Sequence, residues 1–256
     1  MIDVLAPLFC GELAVYAEGL SLSAGDQPVV SGRRFVEAEQ LEQCLDLYAV
    51  GYPGADRRAL ASLWSKDYFL TVLPAVVASS LVLGWHLPVT LDDIEVVIDA
   101  QGLPARLVLP NPGERVAPDD AWQRFAPLIE GNLEPFIDAL ARVVKLSPRV
   151  LWSNAGNYVE SIVGVLAERG FPTDTLAHGE ALIRVREWPH GKRNRLFEPV
   201  RYVQMPGPQG PLQIRQRRQC CLRDGLPGYE CCSDCPLISD ELLLRYALAE
   251  RGLSVE

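Results

Sequence analysis

The sequence lacks the motifs that mark common nucleotide-binding and hydrolytic sites. No G-x-G-x-x-G run follows a predicted strand, and the chain contains no Walker A, G-x-S-x-G or H-E-x-x-H run. Its three histidines, His86, His178 and His190, are scattered, so we interpret them as core or surface residues rather than metal ligands. We therefore do not expect the chain to take hydride from NAD(P)H itself.

An excess of positive charge is also missing. Lysine and arginine number 24 against 33 acidic residues, giving a net charge of −9, whereas nucleic-acid binding requires a basic face. Nucleic acid is therefore not an expected partner. The first residues show neither the basic stretch nor the apolar run of a secretory signal. A cytoplasmic location is the resulting expectation.

One long segment lacks charge altogether. Residues 68–91 contain no Asp, Glu, Lys or Arg, and the apolar run within them is long enough to cross a membrane. Pro74 and Gly84 interrupt this run, and no Lys/Arg-rich flank would orient a span. A buried core helix is therefore the favoured interpretation, and loose contact with an inner membrane is the alternative.

The remaining pattern predicts a mixed fold in which helices predominate. Apolar residues recur at helical spacing in segments 36–50, 55–64, 119–144 with an interruption near Gly131 or Pro135, 151–169, and 240–251. Short β-branched and aliphatic segments with turn residues between them predict two β-hairpins, 94–98 with 106–109 and 200–205 with 212–217. The fold class is therefore predicted as α+β.

The chain shows no clear linker. We expect residues 1–206 to form the main body. Residues 207–256 are expected to add a hairpin strand, a cysteine loop and a closing helix, all packed with the body as one unit.

Cysteine is the informative residue type. Two of the seven cysteines, Cys10 and Cys44, stand alone in apolar surroundings and are interpreted as small core residues. The other five fall in one short window: Cys220, Cys221, Cys231, Cys232 and Cys235. In a reducing compartment such a cluster points to a metal rather than to disulfides.

Two pairs of candidate ligands can be drawn in this window. Cys232 and Cys235 form a C-x-x-C, whose tight turn aims both thiolates inward. The vicinal Cys220 and Cys221 can both act as ligands only if the backbone turns there, because neighbouring side chains of a strand point to opposite faces. Turn residues between the pairs allow the loop to fold back. Cys231 is the spare, and its use in place of Cys232 ranks second.

Spacing alone leaves three interpretations open. Four cysteines make an ordinary structural zinc site, although zinc ribbons usually present two C-x-x-C pairs. Disulfides would need an oxidising compartment that nothing else in the sequence indicates. An iron–sulfur cluster is no better favoured than zinc by the spacing.

The same cysteine pattern also carries a resemblance. Cys220-Cys221, ten residues, Cys232, two residues and Cys235 resemble the C-terminal signature of the FhuF-type ferric siderophore reductases. The segments 62–69 (SLWSKDYF) and 151–157 (LWSNAGN) are similar to segments of that family. The additional Cys231 departs from the four-cysteine pattern.

This resemblance implies a cytoplasmic protein with a [2Fe–2S] cluster on Cys220, Cys221, Cys232 and Cys235. It further implies one-electron reduction of a ferric siderophore, especially of the hydroxamate type, with release of Fe(II) in the cytoplasm. Because no dinucleotide motif is present, electrons are expected from an external ferredoxin or flavin-containing reductase. The alternative is a zinc-stabilised adaptor protein without enzymatic activity.

The segment before and within the cysteine window is basic. Residues 192–223 contain eight lysines and arginines and one acid, Glu198. Arg217, Arg218 and Arg223 are candidates to offset the charge of a cluster and to attract an acidic donor or substrate, although a solvated hairpin edge has the same composition.

Three residues near the start of segment 151–169 are candidates for a siderophore pocket. They are Trp152, Asn154 and Asn157. Helix packing and capping explain an aromatic residue and two amides at this spacing equally well.

Overall fold

A computed structural model gives the fold and describes residues 2–16, 18–208 and 210–252. The α-helices in these residues are α1 Gly32–Phe35, α2 Ala38–Ala49, α3 Arg57–Leu83, α4 Ala121–Leu128, α5 Glu134–Val144, α6 Pro148–Glu168, α7 Thr173–Arg184 and α8 Asp240–Glu250. Short 3-10 turns cover Asp3–Leu5, Gly11–Tyr16 and Arg223–Gly225, and a π-helical turn covers Ile129–Leu133.

The strands are short except for one hairpin. They are β1 Leu20–Ser21, β2 Val29–Ser31, β3 Trp85–His86, β4 Glu95–Ile98, β5 Pro104–Val108, β6 Glu114–Arg115, β7 Val200–Gly207 and β8 Gly210–Arg217. A four-stranded sheet has the order β1-β5-β4-β2, with β1 parallel to β5 and the other pairs antiparallel. Both predicted hairpins, β4–β5 and β7–β8, are present, and the predicted α+β class is confirmed.

Helix α3 lies at the centre of the molecule. Its first turn is capped by the carboxylate of Asp56, which accepts hydrogen bonds from the N–H groups of Arg58 and Ala59. It ends at Gly84, whose φ of 61° is a conformation that glycine adopts without strain. The charge-free segment 68–91 is therefore not one helix: it is helical only as far as Leu83, and Trp85–His86 follow as strand β3.

By length and composition, α3 is the one helix in the described residues that could span a bilayer, yet 67% of its most apolar stretch is buried inside the protein. It packs against α2, α5, α6, α7 and the four-stranded sheet. The burial agrees with the predicted core helix, because an apolar helix in the middle of a large domain needs no membrane.

The core around α3 is aromatic. The rings of Tyr68 and Phe136 stack with centroids 4.0 Å apart, and Phe35 and Trp64 lie against the same group. The buried hydroxyl of Tyr68 donates a hydrogen bond of 2.8 Å to Asn132, so its burial leaves no unpaired polar atom.

The predicted interruption of helix 119–144 lies at Gly131. The π-helical turn separates α4 from α5, and a side chain at Gly131 would approach Thr90 to within 3.0 Å. The π-helical turn therefore packs closely against the loop that carries Thr90, and a glycine at position 131 leaves room for this contact.

The structure also contains elements that the sequence pattern did not predict. Helix α7 and the two-residue strands β1, β3 and β6 are absent from the predictions. Cys44 is buried as expected, but Cys10 is exposed, so its interpretation as a core residue was wrong. The boundary expected between residues 206 and 207 falls inside strand β7.

The β7–β8 hairpin carries its own small apolar cluster. Ile214 of β8 packs against Leu243 and Ala247 of α8, apart from the main core. Helix α8 begins at Ser239, whose hydroxyl accepts the N–H of Leu242. The chain between β8 and α8 contains the five cysteines, so both ends of that segment are fixed by packed elements.

Candidate metal centre

The five clustered cysteines lie in one loop that folds back on itself. Strand β8 ends at Arg217, and the N–H of Arg217 donates a 2.9 Å hydrogen bond to the carbonyl of Asp234. This contact brings the second group of cysteines beside the first. The sulfur atoms of Cys221 and Cys232 are 3.3 Å apart.

The backbone turns at the vicinal pair. Leu222 has a φ of 61°, and its N–H donates a hydrogen bond of 3.2 Å to the sulfur of Cys220. Because β8 has already ended, the side chains of Cys220 and Cys221 are not held on opposite faces of a strand. At the second pair, the N–H of Cys235 donates to the carbonyl of Cys232 and forms a tight turn. Both local geometries allow two neighbouring sulfurs to serve one centre.

The pKa values of Cys221 and Cys232 are strongly perturbed in opposite directions. The Cys232 thiol lies within hydrogen-bond distance of the Cys221 sulfur, and Lys66 of α3 places Nζ at 3.1 Å from that sulfur. The bond from Cys232, followed by the positive charges of Lys66 and Arg217, lowers the pKa of Cys221 to about 4 in spite of burial. The same shared hydrogen bond raises the pKa of Cys232. A thiolate is therefore stabilised at Cys221 even without a metal.

The thiols of Cys220 and Cys231 lack this stabilisation. Burial raises the pKa of Cys220 to about 11. The pKa of Cys231 is raised by burial and by the neighbouring Cys235, to which it is also hydrogen-bonded. Cys231 and Cys232 thus both lie among the clustered cysteines, but it is Cys232 that contacts Cys221.

The thiols are free and do not converge on one point. All seven cysteines are unpaired by disulfides. In the described ranges, no three His, Cys, Asp or Glu side chains surround a common metal position. The donors instead make pairwise contacts such as that between Cys221 and Cys232.

The loop is attached to α3 and α6 by a buried polar network. Ser62 donates a 2.7 Å hydrogen bond to the carbonyl of Cys221, and Asn154 donates to Ser62. The guanidinium of Arg217, only 4% exposed, donates to the side-chain oxygen of Asn154. These contacts join the first cysteine pair to the centre of the core.

Asn157 makes a second, less buried connection. Its side-chain oxygen accepts a 2.7 Å hydrogen bond from Arg215, which also forms ion pairs with Glu160 and Asp234. The structure therefore places Asn154 and Asn157 against arginines of β8. Neither asparagine lines the cavity that opens beside the cysteine loop, whereas Trp152 does.

A cavity of about 710 Å³ opens beside the cysteine loop. It lies between the start of α6, the segment 193–199 and Gln219, the residue that immediately precedes Cys220. Trp152 and Arg218 line it. Of the remaining candidates, Arg217 is buried in the polar network, and Arg223 stacks on Tyr229 with its guanidinium carbon 4.9 Å from the ring centroid.

Two residues of the site were not predicted from the sequence. Ser62 and Lys66 lie one helical turn apart on α3 and both contact Cys221. The available signal was that these two polar residues stand at a spacing of four in segment 62–69. That signal shows that they share a face but not what the face contacts.

Comparison with known proteins identifies the family. Residues 62–209, more than half of the chain, match the family model of the ferric iron reductase FhuF-like transporter. The chain belongs to this family. It is also similar to the ferric siderophore reductase of Escherichia coli (strain K12), with 26% identity over 187 residues, covering 71% of this chain and 67% of that protein.

The family that the cysteine signature resembles is thus confirmed as the family of this chain. The matched range covers most of α3 and all of α4 to α7, including Ser62, Lys66 and Asn154, and it ends at residue 209, before Cys220. The match therefore gives no information on the cysteine loop.

Proposed function

We propose that this protein is a ferric siderophore reductase whose redox centre is a [2Fe–2S] cluster held by Cys220, Cys221, Cys232 and Cys235. The family and the named relative support the reductase role. The observation that carries the proposal for the centre is the contact between the two cysteine pairs, in which the sulfurs of Cys221 and Cys232 lie 3.3 Å apart.

The residues of the loop fit such a cluster. Iron–sulfur clusters are bound by cysteine thiolates and are tuned by hydrogen bonds to sulfur and by local charge. Leu222 supplies an N–H to Cys220, and Lys66 supplies a charged donor to Cys221. The buried Arg217 adds a second positive charge close to Cys221. Lys66 and Arg217 therefore favour the deprotonated thiol at Cys221.

The resemblance of the cysteine signature to the FhuF-type reductases supports two irons over one zinc. A structural zinc ion takes four donors around one position, and the same four cysteines could supply them. A [2Fe–2S] cluster instead divides four cysteines between two irons. The zinc-stabilised adaptor remains the second candidate, because its donor set would be the same.

The proposed reaction requires only the transfer of one electron to Fe(III). A bound cluster supplies one electron at low potential, and the Fe(II) that results is held far less tightly by the hard oxygen donors of a siderophore. The residues of the chain hold the centre beside the cavity, exclude water from the buried cysteines and set the local charge. We propose that the electron comes from an external ferredoxin or flavin-containing reductase and that Fe(II) is released in the cytoplasm.

Anaerobic purification tests the proposal directly. We expect a brown protein with about two irons per chain, visible bands that bleach with dithionite, and an EPR signal in the reduced form. The dithionite-reduced protein should then convert a ferric siderophore to Fe(II), detected with a ferrous chelator. Colourless protein that contains zinc and no iron would refute the cluster and favour the adaptor.

Lys66 is expected to raise the reduction potential of the centre. Its ammonium lies 3.1 Å from the sulfur of Cys221 and favours the state with one additional negative charge. We expect Lys66→Met to lower the potential by about 60 mV, which for one electron corresponds to about 1.4 kcal/mol. A redox titration followed by visible absorption measures this shift.

The matched control for this titration is Lys145→Met. Lys145 is exposed at the end of α5, and within the described residues it forms no hydrogen bond or ion pair with a cysteine. Its replacement should leave the potential unchanged. Equal potentials in the Lys66 variant and the wild type would show that Lys66 does not tune the centre.

A further inference from the structure

The cavity beside the cysteine loop has an unusual charge. Among the residues that line it in the described chain, four are arginines and one, Glu198, is acidic. The arginines are Arg149, Arg193, Arg195 and Arg218. This local excess contrasts with the net charge of −9 for the whole protein. A concave site lined by charge of one sign attracts ligands of the opposite sign.

Two of these arginines already form ion pairs with acidic side chains of the protein. Arg218 forms a 2.7 Å ion pair with Glu198, and Arg195 pairs with Glu134 and Asp138. Arg149 and Arg193 are exposed, and neither forms an ion pair within the part of the chain that the structure describes. Two guanidinium groups are therefore left to bind an anion.

The cavity wall also contains buried polar atoms without partners. Trp152 is 4% exposed and Ser153 is 9% exposed. The Nε1 of Trp152 and the Oγ of Ser153 have no hydrogen-bond partner among the described residues, although both residues line the cavity. Each of these two atoms exposes almost no surface, so both lie behind the cavity wall. The groups that a ligand can reach are the exposed guanidinium groups of Arg149 and Arg193.

The size and the position of the cavity fit a chelate. Its volume of about 710 Å³ lies within the range of small-molecule sites. Gln219 lines the cavity and is followed at once by the buried Cys220. A ligand that contacts Gln219 would thus lie next to the residue that precedes the first proposed cluster ligand.

We infer that this cavity, lined by Trp152, Ser153 and the unpaired Arg149 and Arg193, binds ferric chelates that carry net negative charge. This inference rests on the proposed function and narrows its substrate class. A ferric complex of three hydroxamates is neutral, whereas catecholate and citrate complexes are anionic. The charge of the cavity therefore favours the anionic complexes over the neutral hydroxamate type that the family resemblance implies.

Gallium(III) complexes separate binding from reduction, because gallium replaces Fe(III) in the chelate but does not accept the electron. Calorimetric titration of the full-length protein should use the gallium complexes of a tris-catecholate, of citrate and of a neutral cyclic trihydroxamate. We expect at least one anionic complex to bind about tenfold more tightly than the neutral one, with affinity that falls as salt is raised. The two anionic arms distinguish catechol from carboxylate recognition.

The double substitution Arg149→Gln/Arg193→Gln should remove that preference, and Arg115→Gln is the matched control. Arg115 is exposed on β6, which pairs with β3 just after the C-terminal end of α3. It does not line the cavity. Loss of the preference in the double variant alone supports the inference. Equal or tighter binding of the neutral complex, no binding of any complex, or an unchanged double variant would overturn it. These outcomes do not depend on whether the cysteines hold iron.

Discussion

Replacing Cys221 with serine is expected to abolish both the visible colour and the ferric reductase activity. Cys221 contacts Cys232, Lys66 and Ser62, so it joins the two cysteine pairs and attaches them to α3. We expect less than about a tenth of the wild-type iron content and activity, since an oxygen ligand replaces the best-stabilised thiolate. Metal analysis, the visible spectrum and Fe(II) production measure the three losses.

Cys231→Ser is the matched control for this substitution. Its thiol contacts Cys235 and lies beside the presumed ligands without being one of them. The variant should keep its colour and activity. Bleaching in Cys231→Ser together with retention in Cys232→Ser would mean that Cys231 takes the place of Cys232 as ligand.

Asn154→Leu is expected to cause the largest loss of stability in the buried network. The substitution removes the side-chain acceptor of Arg217, whose Nε is already buried without a partner among the described residues. It also removes the donor to Ser62. Removing one partner of a buried charge typically costs about 3 kcal/mol or more, so we expect the free energy of unfolding to fall by about 3 kcal/mol. Urea denaturation of the metal-free protein measures it.

Asn157→Leu provides the comparison on the same helix. Its partner Arg215 keeps Glu160 and Asp234, and that group is only partly buried. We expect a loss below about 1 kcal/mol. Equal losses in the two variants would show that burial of the Arg217 guanidinium does not make the Asn154 contact special.

The helical body could be predicted where periodicity and end signals agree. Helix α2 and the end of α6 follow such signals, and α3 was found because a long uncharged run leaves few alternatives. Helix α7 was missed although it begins right after Pro172. Its apolar residues recur about as regularly as those of α2, so the signal was present in the sequence, and the helix packs against α6.

The two-residue strands could not be predicted from the sequence pattern. Leu20–Ser21 becomes a strand only because it pairs with β5, far away in the chain. A single pairing of this length has no period to recognise. Its identity as a strand depends on the tertiary fold.

The candidate site shows the same division between local and distant information. The cysteine pairs are close in sequence, so the sequence alone indicates where the candidate site lies. Lys66 contacts Cys221 from 155 residues away in the sequence, and Asn154 contacts Arg217 from 63 residues away. No local pattern encodes contacts between residues so far apart. The cavity likewise combines α6, the segment 193–199 and Gln219.

The attachment of Cys221 to Ser62, across 159 residues, has a consequence for biogenesis. The last fifty residues do not contain the groups that orient their own first cysteine pair, so a peptide limited to them should be a poor iron acceptor. In zinc fingers the metal organises an otherwise unfolded chain. In this chain we expect α3 and α6 to dock first, so that insertion of the proposed cluster is a late event that only correctly assembled chains reach.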